Sequence, residues 1–164
     1  MSDLERNADL LAGGLWARLR DILLAQSRWD RFVPDPEGGG SETDRGADAP
    51  SPAERRRVAE EMVLRALRVG ADPVNHAILV RLGREEATPL ASLMDETGLP
   101  RVPLGERIFD LAQVGLAAWA PETREARATG AGLGLVGIAA EIASRLARLA
   151  DERWAETAPP GRTA

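Results

Sequence analysis

The stretch GLPRVPLGERIFDLAQVGL, residues 98–116, decides how this chain folds. Leu104, Ile108 and Leu111 recur at four- and three-residue steps, the signature of one apolar helix face. Gly98 and Gly115 bracket the segment: Gly98 is predicted to close the preceding helix in the left-handed conformation that glycine adopts without strain, and Gly115 to end this one. Pro103 falls in the first turn of the helix, where no amide donor is needed. With the Leu/Ile ridge inward, the outward face carries Val102, Glu106, Phe109 and Gln113, with Asp110 beside it. Arg101 and Arg107 lie on the flanks.

Upstream, Leu11, Leu15, Leu19, Ile22 and Leu23 form the apolar stripe of an N-terminal amphipathic helix in residues 1–33. Ser51-Pro52-Ala53-Glu54 is a capping box with proline at the first helical position. The helix it starts buries Val58, Met62, Val63, Ala66 and Leu67 and stops at Gly70. Asp72-Pro73 opens the next helix by the same device, with Val74, Ala77, Ile78 and Leu82 inward. Thr88-Pro89 opens a third, burying Leu90, Leu93 and Met94 up to Gly98. Downstream, Leu116 to Ala120 and Arg124 to Thr129 read as two short strands around the turn at Pro121-Glu122-Thr123. The last helix carries Leu135, Ile138, Ile142, Leu146 and Leu149.

Two helices joined by a glycine turn and followed at once by a hairpin make a winged helix-turn-helix. The expected fold is therefore mainly α with a small β-hairpin wing, a winged helix-turn-helix with extra N- and C-terminal helices. Three parts are expected: the N-terminal helix in 1–33, a flexible acidic linker over 34–52, and the winged-helix domain with its C-terminal dimerisation helix over 53–158. The linker reading rests on five acids against one arginine, four prolines and the triplet Gly38-Gly39-Gly40.

Composition removes whole classes of function. The 164 residues include no cysteine and one histidine, which excludes disulfides, thiolate metal sites and cysteine nucleophiles. No nucleophile pairs with a base, so the chain is not expected to be an enzyme, and no metal or cofactor is expected. His76 sits in the first turn of its helix and reads as a packing or capping residue. The net charge is −5, most of it from the acidic linker. The longest apolar run, Ala131 to Ala140, is interrupted by glycines and falls well short of a membrane span. A soluble cytoplasmic protein that does not enter a membrane is the expectation.

Several of these segments together resemble the winged-helix transcriptional regulators of the MarR type. The resemblance covers roughly residues 73–149. It is carried by Thr88-Pro89-Leu90-Ala91-Ser92-Leu93, Gly98-Leu99-Pro100-Arg101, Leu111-Ala112-Gln113-Val114-Gly115-Leu116 and Thr129-Gly130-Ala131-Gly132. It implies a homodimer held by the long terminal helices, with the helix after Gly98 in the major groove of double-stranded DNA and the wing on the flanking backbone. By position, the DNA-binding residues would be Arg101, Val102, Gly105, Glu106, Arg107, Arg124 and Arg127.

A groove-reading face normally carries Arg, Lys, Asn, Gln or Ser, whereas this one offers an acid, two apolar groups and an amide. Glu106 and Asp110 also cancel the arginines on its flanks. The alternative reading is a non-catalytic winged-helix module that binds a protein partner through Val102, Glu106, Phe109 and Gln113. An exposed aromatic on a charge-neutral helix is what a protein-binding surface uses. One further motif, Gly132-Leu133-Gly134-Leu135-Val136-Gly137, matches GxGxxG. No second strand follows to complete a dinucleotide site, so the small residues are expected to let the last helix pack closely on a neighbour.

Overall fold

Local caps set most of the element boundaries. The structure, a computed structural model, describes residues 2–29 and 50–157. Its elements are α1 (Asp3–Trp29), α2 (Pro52–Gly70), α3 (Pro73–Leu82), β1 (Thr88–Pro89), α4 (Leu90–Thr97), α5 (Arg101–Gln113), β2 (Ala117–Ala120), β3 (Glu125–Ala128) and α6 (Gly130–Thr157). The linker lies outside the described residues apart from 50–52.

At α2 the capping box is complete. The Glu54 amide donates to Ser51 Oγ at 3.2 Å and the Ser51 amide to Glu54 Oε2 at 2.7 Å. Asp72 caps α3 by accepting from the amides of Val74 and Asn75 at 3.0 and 3.1 Å. Gly98, at φ 67°, ends α4 with its amide on the Met94 carbonyl. Gly115, at φ 80°, ends α5 in a Schellman arrangement: its own amide bonds Ala112 O and the next amide bonds Leu111 O. Thr129 then links the end of α5 to the start of α6. Its hydroxyl donates to Gly115 O at 2.6 Å and accepts from the Gly132 amide at 3.1 Å.

The architecture is mainly helical with one small antiparallel sheet, ordered β1-β3-β2. The sheet has three strands where a two-stranded hairpin was expected. Thr88-Pro89 leads directly into α4, with Pro89 at its N-cap and no side-chain cap, and also pairs with β3, in the register Thr88↔Ala126 and Pro89↔Glu125. Proline leaves the ladder one donor short, and the following residue supplies it: the Leu90 amide donates to Arg124 O at 2.9 Å. On the other side, Ala118 faces Arg127 and Ala120 faces Glu125.

One continuous core joins all the helices. Leu104, Ile108 and Leu111 of α5 meet Ile78, Leu79 and Leu82 of α3, Leu90 and Leu93 of α4, and Leu116 and Ala126 from the sheet region. Each such Leu or Ile contributes on the order of 2 kcal/mol by leaving water. Leu11 and Leu15 of α1, Ala66 of α2, and Ala131 and Leu135 of α6 join the same cluster. Three inward assignments are corrected. Val74, Ala77 and Leu67 face solvent, because α3 docks through Leu79 and Asn75 and α2 through Val58 and Ala66.

Helices α1 and α6 run antiparallel in close contact. Gly14 meets Ala131, Gly134 meets the backbone of Asn7 and Leu11, and Gly137 meets the Asn7 side chain. Because Asn7 already faces Gly137, the C-terminal half of α6 runs on past the start of α1. There Ile142, Leu146 and Leu149 are 54–65% exposed. No helix among the described residues is long and apolar enough to cross a membrane.

Candidate functional site

The surface of α5 divides into sectors set by its helical period. Leu104, Ile108 and Leu111 fill the core and are at most 2% exposed. Val102 and Phe109 stand in solvent at 69% and 59% exposure. Glu106, Asp110 and Gln113 are exposed on the same broad outer side. Phe109 and Val102 border a groove of about 300 Å³ between α5, the start of α4 and β2. Leu90, Ile108 and Trp119 complete its apolar lining, Gly105 lies along it, and Arg101 is its single charged residue among those described. A Cβ at Gly105 would meet no heavy atom of the described residues within 4 Å, so they leave the space beside that turn of α5 open.

The arginines expected at this face separate into two groups. Arg107 turns back to α3: its guanidinium lies 3.1 Å from Asp72 Oδ1 and 3.5 Å from Asn75 Oδ1. Asn75 is buried, and its amide nitrogen donates to Val69 O at 2.9 Å. Arg107 therefore braces α5 against the α2–α3 corner. The Asp72 carboxyl is held below its ordinary range, first by the Asn75 amide and then by Arg107 and the Val74 amide. The guanidinium groups of Arg101, Arg124 and Arg127, by contrast, are exposed and make no hydrogen bond or ion pair with any described residue.

Helices α3 and α4 are tied by Arg81, whose side chain is 14% exposed and pairs with Glu96 and Glu85. The Arg81 hydrogen bond holds the Glu96 carboxyl below its ordinary range.

Of the residues singled out from the sequence, the structure brings Arg101, Val102, Gly105 and Phe109 together at one groove. Glu106 and Gln113 lie outside its lining, as do Arg124 and Arg127 on the hairpin. Trp119, Leu90 and Ile108 line the groove and were not foreseen there. The alternation along β2 places Trp119 two residues from the buried Ala117, and that spacing was the available signal.

The GxGxxG segment serves packing. Gly132 lies against Leu116 O, and α1 occupies the space beside Gly134 and Gly137. No phosphate has room to approach the last two glycines. Among the described residues no group of three or more His, Asp or Glu is placed to hold a metal ion. No protein-family model, curated protein or solved structure matches this chain.

Proposed function

We propose that the chain is a non-catalytic interaction module of winged-helix type whose α5–β2 groove docks an apolar segment of a partner protein. The order α3-β1-α4-α5-β2-β3 and the sheet order β1-β3-β2 support the winged-helix reading. The observation that carries the function is the groove itself. An exposed Phe109 and Val102 beside Trp119 form an apolar patch on the outer side of α5. A photo-reactive residue placed at Val102 tests this in the native host. The expected product is one cross-linked partner, lost when Phe109→Asp is added and kept with Gln113→Ala. A product indifferent to Phe109→Asp would remove the support.

One observation favours a second reading, binding to double-stranded DNA. Arg101, Arg124 and Arg127 have no partner among the described residues and flank the exposed side of α5 and its hairpin. Phosphate contacts of this kind weaken steeply with salt. Anisotropy titrations of random-sequence duplexes between 50 and 200 mM salt (roughly the range over which such contacts weaken) decide the matter. Affinity that falls steeply with salt and is lost in the Arg101/Arg124/Arg127 triple alanine variant establishes this reading over docking.

Both readings are of a homodimer. The stripe of Ile142, Leu146 and Leu149 on the projecting half of α6 supports it. Sedimentation equilibrium should give twice the chain mass for the natural protein and the single-chain mass for Leu146→Glu.

A further inference from the structure

We infer that the groove takes its partner as an extended strand added to the free edge of β2, with a carboxylate of that strand on Arg101. This rests on the reading of the groove as a protein-docking site and specifies the form of its occupant.

The sheet order leaves β2 outermost, with β3 on one side. The direction of its main-chain groups follows from two bonds. The Thr129 amide donates to Leu116 O at 3.1 Å, so residue 116 turns toward β3. In an antiparallel pair the direction alternates, so Ala118 and Ala120 turn toward β3 as well, opposite Arg127 and Glu125. On the far side of β3 the Leu90–Arg124 bond fixes the complementary alternation. Ala117 and Trp119 therefore point their N–H and C=O away from β3. Ala117 is 4% exposed and Trp119 only partly buried, which leaves Trp119 as the pairing point. No described residue hydrogen-bonds the Trp119 main chain.

The Trp119 side chain lines the groove while its main chain forms the edge. A helical occupant would satisfy its own backbone and leave that edge bare. An extended occupant pairs with Trp119 and sends alternate side chains onto α5, where Val102 and Phe109 wait. Arg101 is the one charge in the lining and has no partner among the described residues. Charge complementarity assigns it an acidic residue on the face of the strand that carries the apolar anchors.

The test displays random twelve-residue peptides against the full chain and resynthesises the enriched ones as probes. The expected consensus has apolar residues at alternate positions with Asp or Glu on the same face. Bound peptide should slow hydrogen exchange at the Trp119 amide at least tenfold. Arg101→Ala should weaken binding about tenfold, the effect of losing one charge-assisted hydrogen bond. N-methylation of the peptide amide facing Trp119 should abolish binding. Peptides with apolar residues at three- and four-residue steps that still require Phe109 would overturn strand addition and leave protein docking standing. Absence of enrichment, or peptides indifferent to Phe109→Asp, would overturn both. Protection of the Trp119 amide in the unliganded chain, lost on dilution, would give the edge to a second copy and overturn the proposal.

Discussion

Two alanine substitutions at helical glycines are expected to act in opposite directions. At Gly134 a new Cβ would lie 2.5 Å from Asn7 O and 2.6 Å from the Leu11 amide nitrogen. Carbon contacts settle at about 3.5 Å or more, so α1 and α6 must separate locally by roughly 1 Å. The atoms met are backbone, which has no rotamer to change. Overpacking of this kind costs about 1–3 kcal/mol, while alanine returns up to about 1 kcal/mol of helix propensity. The net expectation for Gly134→Ala is a loss of about 1–2 kcal/mol. Gly105 sits in α5 with nothing within 4 Å of the new atom, so Gly105→Ala keeps the propensity gain of about 0.5–1 kcal/mol. Urea unfolding followed by circular dichroism, with a shared slope, reads both. A Gly134→Ala protein as stable as the natural one would refute the close crossing of α1 on α6 and the packing role given to the GxGxxG segment.

Other outcomes follow from single contacts. Thr129→Ala removes the α6 cap and the bond to Gly115 O, an expected loss of about 1–2 kcal/mol in thermal or urea unfolding, most of it restored by Thr129→Ser. Phe109→Ala should leave stability within about 0.5 kcal/mol, since the ring is exposed, whereas Leu104→Ala should cost about 2–5 kcal/mol; a large Phe109 effect would mean that the ring is covered. Glu54, Asp72 and Glu96 are all held below their ordinary pKa, by Ser51, by the Asn75 amide and by Arg81 respectively. Each therefore contributes its stabilisation in full above the ordinary carboxylate range and loses it as pH falls through the depressed value. The urea midpoint should drop below about pH 4, less steeply in Glu96→Gln, and a midpoint flat to pH 2.5, about 1.5 units under that threshold, would contradict the assignment.

The division of α5 into sectors explains why composition alone left two functions open. Its two arginines and two acids balance, but they do not share a place. Arg107 is committed to Asp72, Arg101 lies beside the apolar groove, and Glu106 and Asp110 occupy the outer side. A formal sum over the helix counts a bracing residue and a free one alike.

What the sequence determined by itself is local. The caps at Ser51, Asp72, Gly98 and Gly115, and the Leu104–Ile108–Leu111 ridge, are legible because each depends on chemistry within about one helical turn. Glycine at φ 67° or 80° announces itself; Arg124 at φ 57° in the hairpin turn does not, because no residue type there marks a left-handed backbone. Tertiary structure alone decided the rest. Thr88-Pro89 became a strand because β3 arrived beside it some 37 residues later in the chain, as Thr88↔Ala126 and Pro89↔Glu125 pairing requires. Val74 and Ala77 turned outward because the partners of α3 took its other side. The groove exists because Trp119, Leu90 and Phe109 come from three elements whose meeting no periodicity encodes. Caps and ridges are fixed by neighbours along the chain, whereas a surface is fixed by which helices and strands the core has already consumed.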